Sequence, residues 1–323
     1  MLNALIKIKM KKLIKLIQII MVFVLLFSIV SSFSYAAPKI GLALGEGGQR
    51  FYPLIGVIKV LESEGIKIDY IAGTSMGSFI GGLYALWEDI DKIEEYILDV
   101  NFFKYYRVQE DVRLQNIDET PFLLFYSNIL KNKLELKWLK GLMDGKDIRD
   151  EIDLLTNRAS FEYDLKIPFR AVAADLITGE KVILSEGRIS NAIAASISVP
   201  GLFIPFKFED RLLVDGALVD PVPADVVREM GADIVIGVSL RDIKYDSSPN
   251  VSNVLSILSR ANYIMLEELN NLSSSKADII IKPKYTEPFS RNVSKSDRIK
   301  LIKLGEEETK KIIPLLKTLI NSY

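Results

Sequence analysis

The sequence predicts an α/β fold built on a parallel sheet. From residue 39 onward, short apolar runs alternate with stretches of helical periodicity. The first two runs each end in a glycine-rich turn that opens a helix. Size agrees: 323 residues, 49% hydrophobic and 26% charged, hold a substantial core and exclude a wholly disordered chain.

Lys39–Leu44 (KIGLAL) reads as a buried strand, followed by the turn Gly45-Glu46-Gly47-Gly48-Gln49-Arg50. Leu54, Ile55, Val57, Ile58 and Leu61 fall at helical spacing, and Gly65 closes that helix. Ile68–Ala72 is a second strand, Gly73–Gly77 a sharp turn, and Ser78–Trp87 a helix rich in small residues. This is a parallel βαβ unit with right-handed crossover.

Asp89–Leu155 is aromatic, charged and mainly helical. The parallel pattern resumes with Ile167–Ala174 and Lys181–Leu184. Asn191–Ser198 reads as a helix ended by Pro200, and Leu212–Val214 as a short strand before Asp215-Gly216. A helix over Ala224–Met230 leads to the strand Ile234–Val238 and then to a polar loop, Ser247–Asn253. Leu255–Leu272, Ile279–Lys282 and Ser296–Ile320 predict a helix, an edge strand and a final helix. There is no internal repeat.

Residues 1–36 read as a signal peptide. They carry five lysines and no acid, and Leu16–Val30 is apolar apart from Gln18 and Ser28. Ser34 and Ala36 place small residues at −3 and −1, so cleavage is expected before Ala37. Met10-Lys11-Lys12 looks like a natural start for such a segment. The competing reading is an uncleaved membrane anchor. The run of 15 residues falls short of the ~20 a spanning helix needs, and a strand at Lys39 leaves almost no linker. The expectation is an exported protein, secreted or held in the cell envelope. Without residues 1–36 the formal charge moves from −1 to −6, which disfavours general nucleic-acid binding.

The chain holds no Cys and no His. That excludes disulfides, thiolate or imidazole metal sites, a cysteine nucleophile and a Ser-His-Asp triad. Any hydrolase here runs on carboxylates, hydroxyls, Lys, Arg and backbone amides.

Gly73-Thr74-Ser75-Met76-Gly77 matches G-x-S-x-G between a strand and a helix, the setting of a nucleophile elbow. The helix that follows points its positive end at the Ser75 hydroxyl. With no imidazole, the base must be a carboxylate or a lysine. Asp215 follows a short strand and precedes Gly216, so it is expected at a strand end on the same edge as Ser75. A plain Asp-Gly turn is the blander reading. Gly47 and Gly48, with the Met76 amide, are candidate oxyanion donors, and Arg50 adds charge or holds the loop. Here the blander reading is a tight turn. A dinucleotide fingerprint is a rival, with Asp69 as ribose acid, but Arg50 occupies the position where that motif needs its third glycine.

Four ordered stretches resemble the bacterial patatin-like phospholipase family. They are GLALGEGGQRFYPLIGVIKVLE, IAGTSMGSFIGGLYA, FRAVAADLITGEKVILSEGRISNAIAASISVPGLFIPF and RLLVDGALVDPVPADVVREMGADIVIGVSL. The resemblance runs from Ile40 to Leu240. It implies a three-layer α/β/α sandwich with a mainly parallel central sheet and a helical insert. With the reading along the chain, the expected organisation is a catalytic domain over residues 37–245, an insert at about 89–155, and a helical extension over 246–323 packed on the same domain. By motif the resemblance implies Ser75 as nucleophile and Asp215 as base of a dyad that needs neither histidine nor a cofactor or metal. Gly73, Gly77 and Gly216 are the motif glycines. The implied activity is lipid acyl-ester hydrolysis through an acyl-enzyme, with a lipid or phospholipid substrate and transient contact with a membrane surface.

One departure matters. The family's oxyanion loop usually reads G-G-G-x-R-G, and here Glu46 and Phe51 replace its first and last glycines. Glu46 opposes an oxyanion unless it points away or pairs with Arg50, and Phe51 is expected to restrict the turn. The alternative reading is therefore an impaired member that binds lipid or a partner without turnover.

Asp175 reads as a strand-end acid tying down a loop, Ser196 and Ser198 as caps or packing, Asp220 as a turn acid and Asp225 as a helix N-cap. Phe102, Phe103, Tyr105, Tyr106 and Phe122–Tyr126 read as insert core or as a lid over an acyl pocket. Lys282, Lys284, Arg291, Lys295 and Arg298 read as a solvated basic face.

Overall fold

Strand β1 (Ile40–Leu44) is buried along its whole length, and its alternate side chains serve two cores. Ile40, Leu42 and Leu44 enter the larger one, whereas Ala43 enters a smaller one with Ala72, Val172, Val226, Val227 and Val235. A strand buried on both faces needs a layer of helices on each side. The computed structural model that shows this describes residues 10, 14–21, 37–100, 143, 145–241, 252, 254–285 and 293–323. Met1–Ala37 with Tyr323 form one compact unit and Pro38–Ser322 another.

In the larger unit α1 (Pro53–Ser63), β2 (Tyr70–Thr74), α2 (Met76–Trp87) and α3 (Ile90–Asp99) follow β1. Then come α4 (Lys146–Leu155), β3 (Phe169–Asp175), β4 (Lys181–Leu184), α5 (Ile189–Ser196), β5 (Phe206–Phe208) and β6 (Arg211–Asp215). The remainder is α6 (Ala224–Glu229), β7 (Ile234–Val238), α7 (Val254–Ser274), β8 (Ile279–Ile281) and α8 (Lys295–Ile320). The strands form one sheet in the order β5-β6-β3-β2-β1-β7-β8, with β4 also on β3. Helices α1, α2, α3, α5 and α8 belong to the larger core, and α6 covers the opposite face with α7 against it. The result is an α/β/α sandwich.

Strands β3, β2, β1, β7 and β8 are parallel, as expected. Two expectations need correction. The parallel pattern does not continue into β4, which pairs antiparallel with β3 through a tight turn, and β6 is antiparallel as well. Strand β5, whose three residues carry too little pattern to read, pairs antiparallel with β6. Strand β2 also begins and ends two residues later than its apolar run, and Ile68 packs in the core from the irregular segment before it.

Residues 14–21 are helical, and among the described residues no helix is long and apolar enough to cross a membrane. Ser34, Ala36, the aromatic stretch within 102–126, Arg291 and most of 247–253 lie outside the described residues.

Candidate active site

Ser75 stands between the last residue of β2 and the first of α2, with φ 55° and ψ −127°. A non-glycine residue at such a φ carries strain of order 1–3 kcal/mol. The flanking glycines make the turn. A Cβ on Gly77 would lie 2.1 Å from the Leu44 carbonyl oxygen, and one on Gly73 would lie 2.4 Å from that of Gly77. Only glycine lets the start of α2 cross the end of β1 so closely, which also brings the elbow against the loop that follows β1.

A serine before a helix usually turns its hydroxyl onto the first amides as a cap. Ser75 makes no such bond. Its Oγ donates instead to Asp215 Oδ2 at 2.6 Å, across 140 residues of chain. Its carbonyl accepts from the Ser78 and Phe79 amides and the Ser78 hydroxyl. The Met76 amide is the first of the helix, where no intrahelical acceptor exists.

Asp215 divides its two oxygens between structure and site. Oδ1 accepts from the Ala217 amide at 2.9 Å and caps a 3₁₀ turn over Gly216–Leu218, and Oδ2 faces Ser75. Its own amide donates to the Ser198 carbonyl. Gly216 is required because a Cβ there would lie 2.2 Å from the Val172 oxygen. Asp215 is 4% exposed and Ser75 5%. Burial pushes the Asp215 carboxyl up to about 7. The bonds from Ser75 and Ala217 pull it down, Glu46 pushes it up, and Arg241 pulls it down.

The sheet register explains the meeting. Ala171 and Val172 are shared between β2 and β4, and Ala173 and Ala174 between β4 and β6. Strands β2 and β6 therefore occupy the same edge of β3, running toward each other. Sequence reading placed Asp215 at a strand end on the edge of Ser75, and the two do meet. The antiparallel, head-on approach was not foreseen.

The loop after β1 is shaped by its backbone. The Gly45 and Glu46 amides donate to Val238 and Pro221 carbonyls, and Gly47 accepts from the Arg50 amide. Gly48 sits at φ 48°. Phe51 does not restrict the turn: at φ −73° it suits any residue, and its ring is buried against Tyr52 with centroids 4.3 Å apart. Glu46 forms an ion pair, but with Arg241 and not with Arg50. The Arg50 carbonyl accepts from the Tyr285 hydroxyl at 2.8 Å.

Ser196 does more than cap or pack. Its Oγ accepts from the Ser75 amide at 2.9 Å and donates to the Val172 carbonyl at 2.6 Å, tying the elbow to β3. No local pattern marks this role. Ser198 bonds the Ala194 carbonyl and serves Asp215 only through its backbone. Asp175 acts as expected, accepting from the Ile177 amide at 2.9 Å. Asp69 accepts from the Ile40 amide and so anchors β1.

Asp225 is not an N-cap, since Pro223 holds that place. It shares Lys181 with Asp220, each at 3.0 Å, and also pairs with Lys276. The Asp220 carbonyl accepts from the Thr74 hydroxyl next to Ser75. Burial pushes the Asp220 carboxyl up to about 7, with Lys181 opposing. Of the late basic residues, Lys284 and Lys295 are exposed, as expected of a solvated face, whereas Arg298 and Lys282 are tied down. Arg298 donates to the Ile97, Leu98 and Val100 carbonyls, Lys295 pairs with Asp99, and Lys282 with Glu267.

The family described as Patatin-like phospholipase matches residues 42–228. The chain is 32% identical over 221 residues to an uncharacterized NTE family protein of Mycobacterium bovis, covering 67% of this chain and 54% of that protein. It is 31% identical over 221 residues to the lysophospholipase nte1 of Aspergillus niger, covering 66% of this chain and 12% of that one. The chain thus spans about half the length of the first relative and a small part of the second. VipD from Legionella pneumophila superposes with a TM-score of 0.49 at 13% identity, over 86% of this chain and 67% of that one.

Proposed function

Since the chain belongs to the patatin-like phospholipase family, we propose that it hydrolyses carboxylic esters of lipids, with Ser75 as nucleophile and Asp215 as base. The observation that carries this reading is the 2.6 Å bond from the Ser75 hydroxyl to a buried carboxylate. A carboxylate with an ordinary pKa is a weak base, and burial that lifts Asp215 to about 7 makes it a better proton acceptor near neutral pH.

Ser75 Oγ attacks the ester carbonyl carbon while its proton passes to Asp215 Oδ2. The tetrahedral oxyanion takes hydrogen bonds from the Gly47, Gly48 and Met76 amides, at the positive end of α2. As it collapses, the bond to the alcohol or lysolipid breaks, and Asp215 returns the proton to that leaving oxygen. Asp215 then takes a proton from water as the hydroxide attacks the acyl-enzyme, and as the acyl C–Oγ bond breaks Asp215 returns that proton to Ser75 Oγ and the fatty acid leaves. Arg50 holds the donor loop.

The alternative of an impaired member draws little support from its two substitutions, because Glu46 is ion-paired with Arg241 and Phe51 is a core residue. Export belongs to the same proposal, with residues up to Ala36 removed at the envelope. Mass analysis of the mature protein tests it, and an intact N-terminus would refute it.

The test of activity is a fluorophosphonate probe together with fatty-acid release from a phospholipid and neutral-lipid panel. Labelling that depends on Ser75 with release of fatty acid is expected. Well-folded protein that is neither labelled nor active would overturn the reading.

A further inference from the structure

The loop between β1 and α1 is held at both ends by residues from the far part of the chain. Near its start, Glu46 forms an ion pair with Arg241, and both side chains are largely buried, at 11% and 14% exposure. The Arg241 guanidinium lies 5.3 Å from the centre of the Tyr263 ring on α7. Toward its end, Arg50 offers its carbonyl to the hydroxyl of buried Tyr285 and places its guanidinium 5.5 Å from that ring. Gly47 and Gly48 lie between the two anchors. Arg241, Tyr263 and Tyr285 all lie beyond residue 228, where the family match ends.

We propose that Arg241, with Tyr263 and Tyr285, forms a positioning clamp that fixes the loop Gly45–Phe51 and cancels the charge of Glu46. The proposal rests on the reading of Ser75 and Asp215 given above. Amides stabilise an oxyanion only when they are held in place before it forms. Here a glutamate stands at the entry to the loop, and a buried unpaired carboxylate would both loosen the turn and repel developing negative charge. Arg241 removes both effects. Its cation–π contact with Tyr263, a ring that Arg260 also approaches at 5.5 Å, helps to hold the guanidinium, and a buried tyrosine hydroxyl that must find an acceptor fixes Arg50.

The same pair acts on the base. Glu46 and Arg241 are the charged groups felt by Asp215, and they push its carboxyl in opposite directions. Glu46 and Arg50 also act, in opposite directions, on the Tyr285 hydroxyl. A guanidinium keeps its charge at every working pH, and burial holds the Tyr285 proton far above that range. Tyr285 adds no titration near neutrality.

The experiment uses the full chain and the variants Arg241→Met, Glu46→Gln, the double variant and Tyr285→Phe. A soluble short-chain nitrophenyl ester reports kcat and KM across pH, and hydrogen exchange reports the amides of residues 45–51. Arg241→Met is expected to lower kcat by about tenfold with KM changed less than about twofold. It moves the acid limb of kcat/KM up by about half a pH unit, and Glu46→Gln moves it down. The double variant returns the limb to its place, which a merely structural role would not do. Tyr285→Phe leaves the limb where it is and speeds exchange at residues 47–51. If Arg241→Met fails to fold, the double variant and Tyr285→Phe carry the test. Limbs that do not move in opposite directions, or exchange unchanged in both Arg241→Met and Tyr285→Phe, would overturn the clamp. If the parent chain is neither labelled nor active, the reading of Ser75 falls, and loop exchange alone decides the clamp.

Discussion

Thr74 and Asp215 end two strands that run toward each other along one edge of β3 and stop at its consecutive residues Val172 and Ala173. Where such strands collide, both chains must turn away from the sheet. The residue after Thr74 is Ser75, and its hydroxyl emerges at the junction facing the Asp215 carboxylate. The Ser75–Asp215 contact is thus a consequence of strand register, and it sits where the backbone is over-determined by its neighbours.

Removing either partner tests the chemistry directly. Asp215→Asn keeps shape and hydrogen-bonding capacity but cannot accept a proton. A loss of about 10²–10⁴-fold in kcat is expected. Ser75→Ala is expected to abolish probe labelling. Full activity in either variant refutes the dyad.

The base sets a pH dependence. Asp215 must be ionised to act, so kcat/KM is expected to rise with pH and reach half its plateau near 7. A pH-rate profile on a soluble ester measures this, and a midpoint near 4 would remove Asp215 from the role.

The same carboxyl has a cost in stability. Its folded pKa, about 7, lies above the ordinary 3.8, so the unfolded chain releases the proton first. Its contribution is therefore lost as pH rises from about 4 to about 7, and it stays lost above. Asp215→Asn lacks this titration. Its melting temperature relative to the parent chain is expected to climb across that window and then level off. A difference that stays flat or falls with pH would contradict the sign.

Backbone strain at Ser75 is measurable without substrate. Ser75→Gly and Ser75→Ala both remove the hydroxyl, but only glycine accepts φ 55° freely. Set against the extra freedom of unfolded glycine, the relief leaves the Gly variant more stable than the Ala variant by about 1 kcal/mol. Urea denaturation of the pair gives the number, and equal stabilities would mean an unstrained elbow.

Behind the elbow, Lys181 holds Asp220 and Asp225 together. Lys181→Met is expected to destabilise by roughly 1–3 kcal/mol at pH 8, below the range for a fully buried pair because the lysine is partly exposed. The loss is smaller at pH 5, where Asp220 is already protonated in the folded state. Denaturation at the two pH values checks it.

Much of this was legible in the chain. Strand β7 and strand β4 have their read boundaries, because β-branched runs between turn residues leave little choice. G-x-S-x-G identified the elbow, since close approach at Gly73 and Gly77 admits no side chain. Strand direction at β4 and β6 was not legible, because an apolar run looks the same whichever way it is laid against its neighbour. The partners of Glu46 and the role of Ser196 were hidden for a different reason. They lie far from their targets in sequence, 195 positions away for Arg241 and 121 for Ser196.

Sequence by itself determined much of the local geometry: where most of the strands lie, though not the three-residue β5, where the tight turns fall, and that no imidazole takes part. Only the tertiary structure decided the encounters, namely that β6 arrives head-on at β2, that Arg241 pairs with Glu46, and that Ser196 holds the Ser75 amide. Local geometry follows from steric and hydrophobic preferences that each residue carries with it. Encounters follow from packing of the whole sheet, which no short stretch of residues contains.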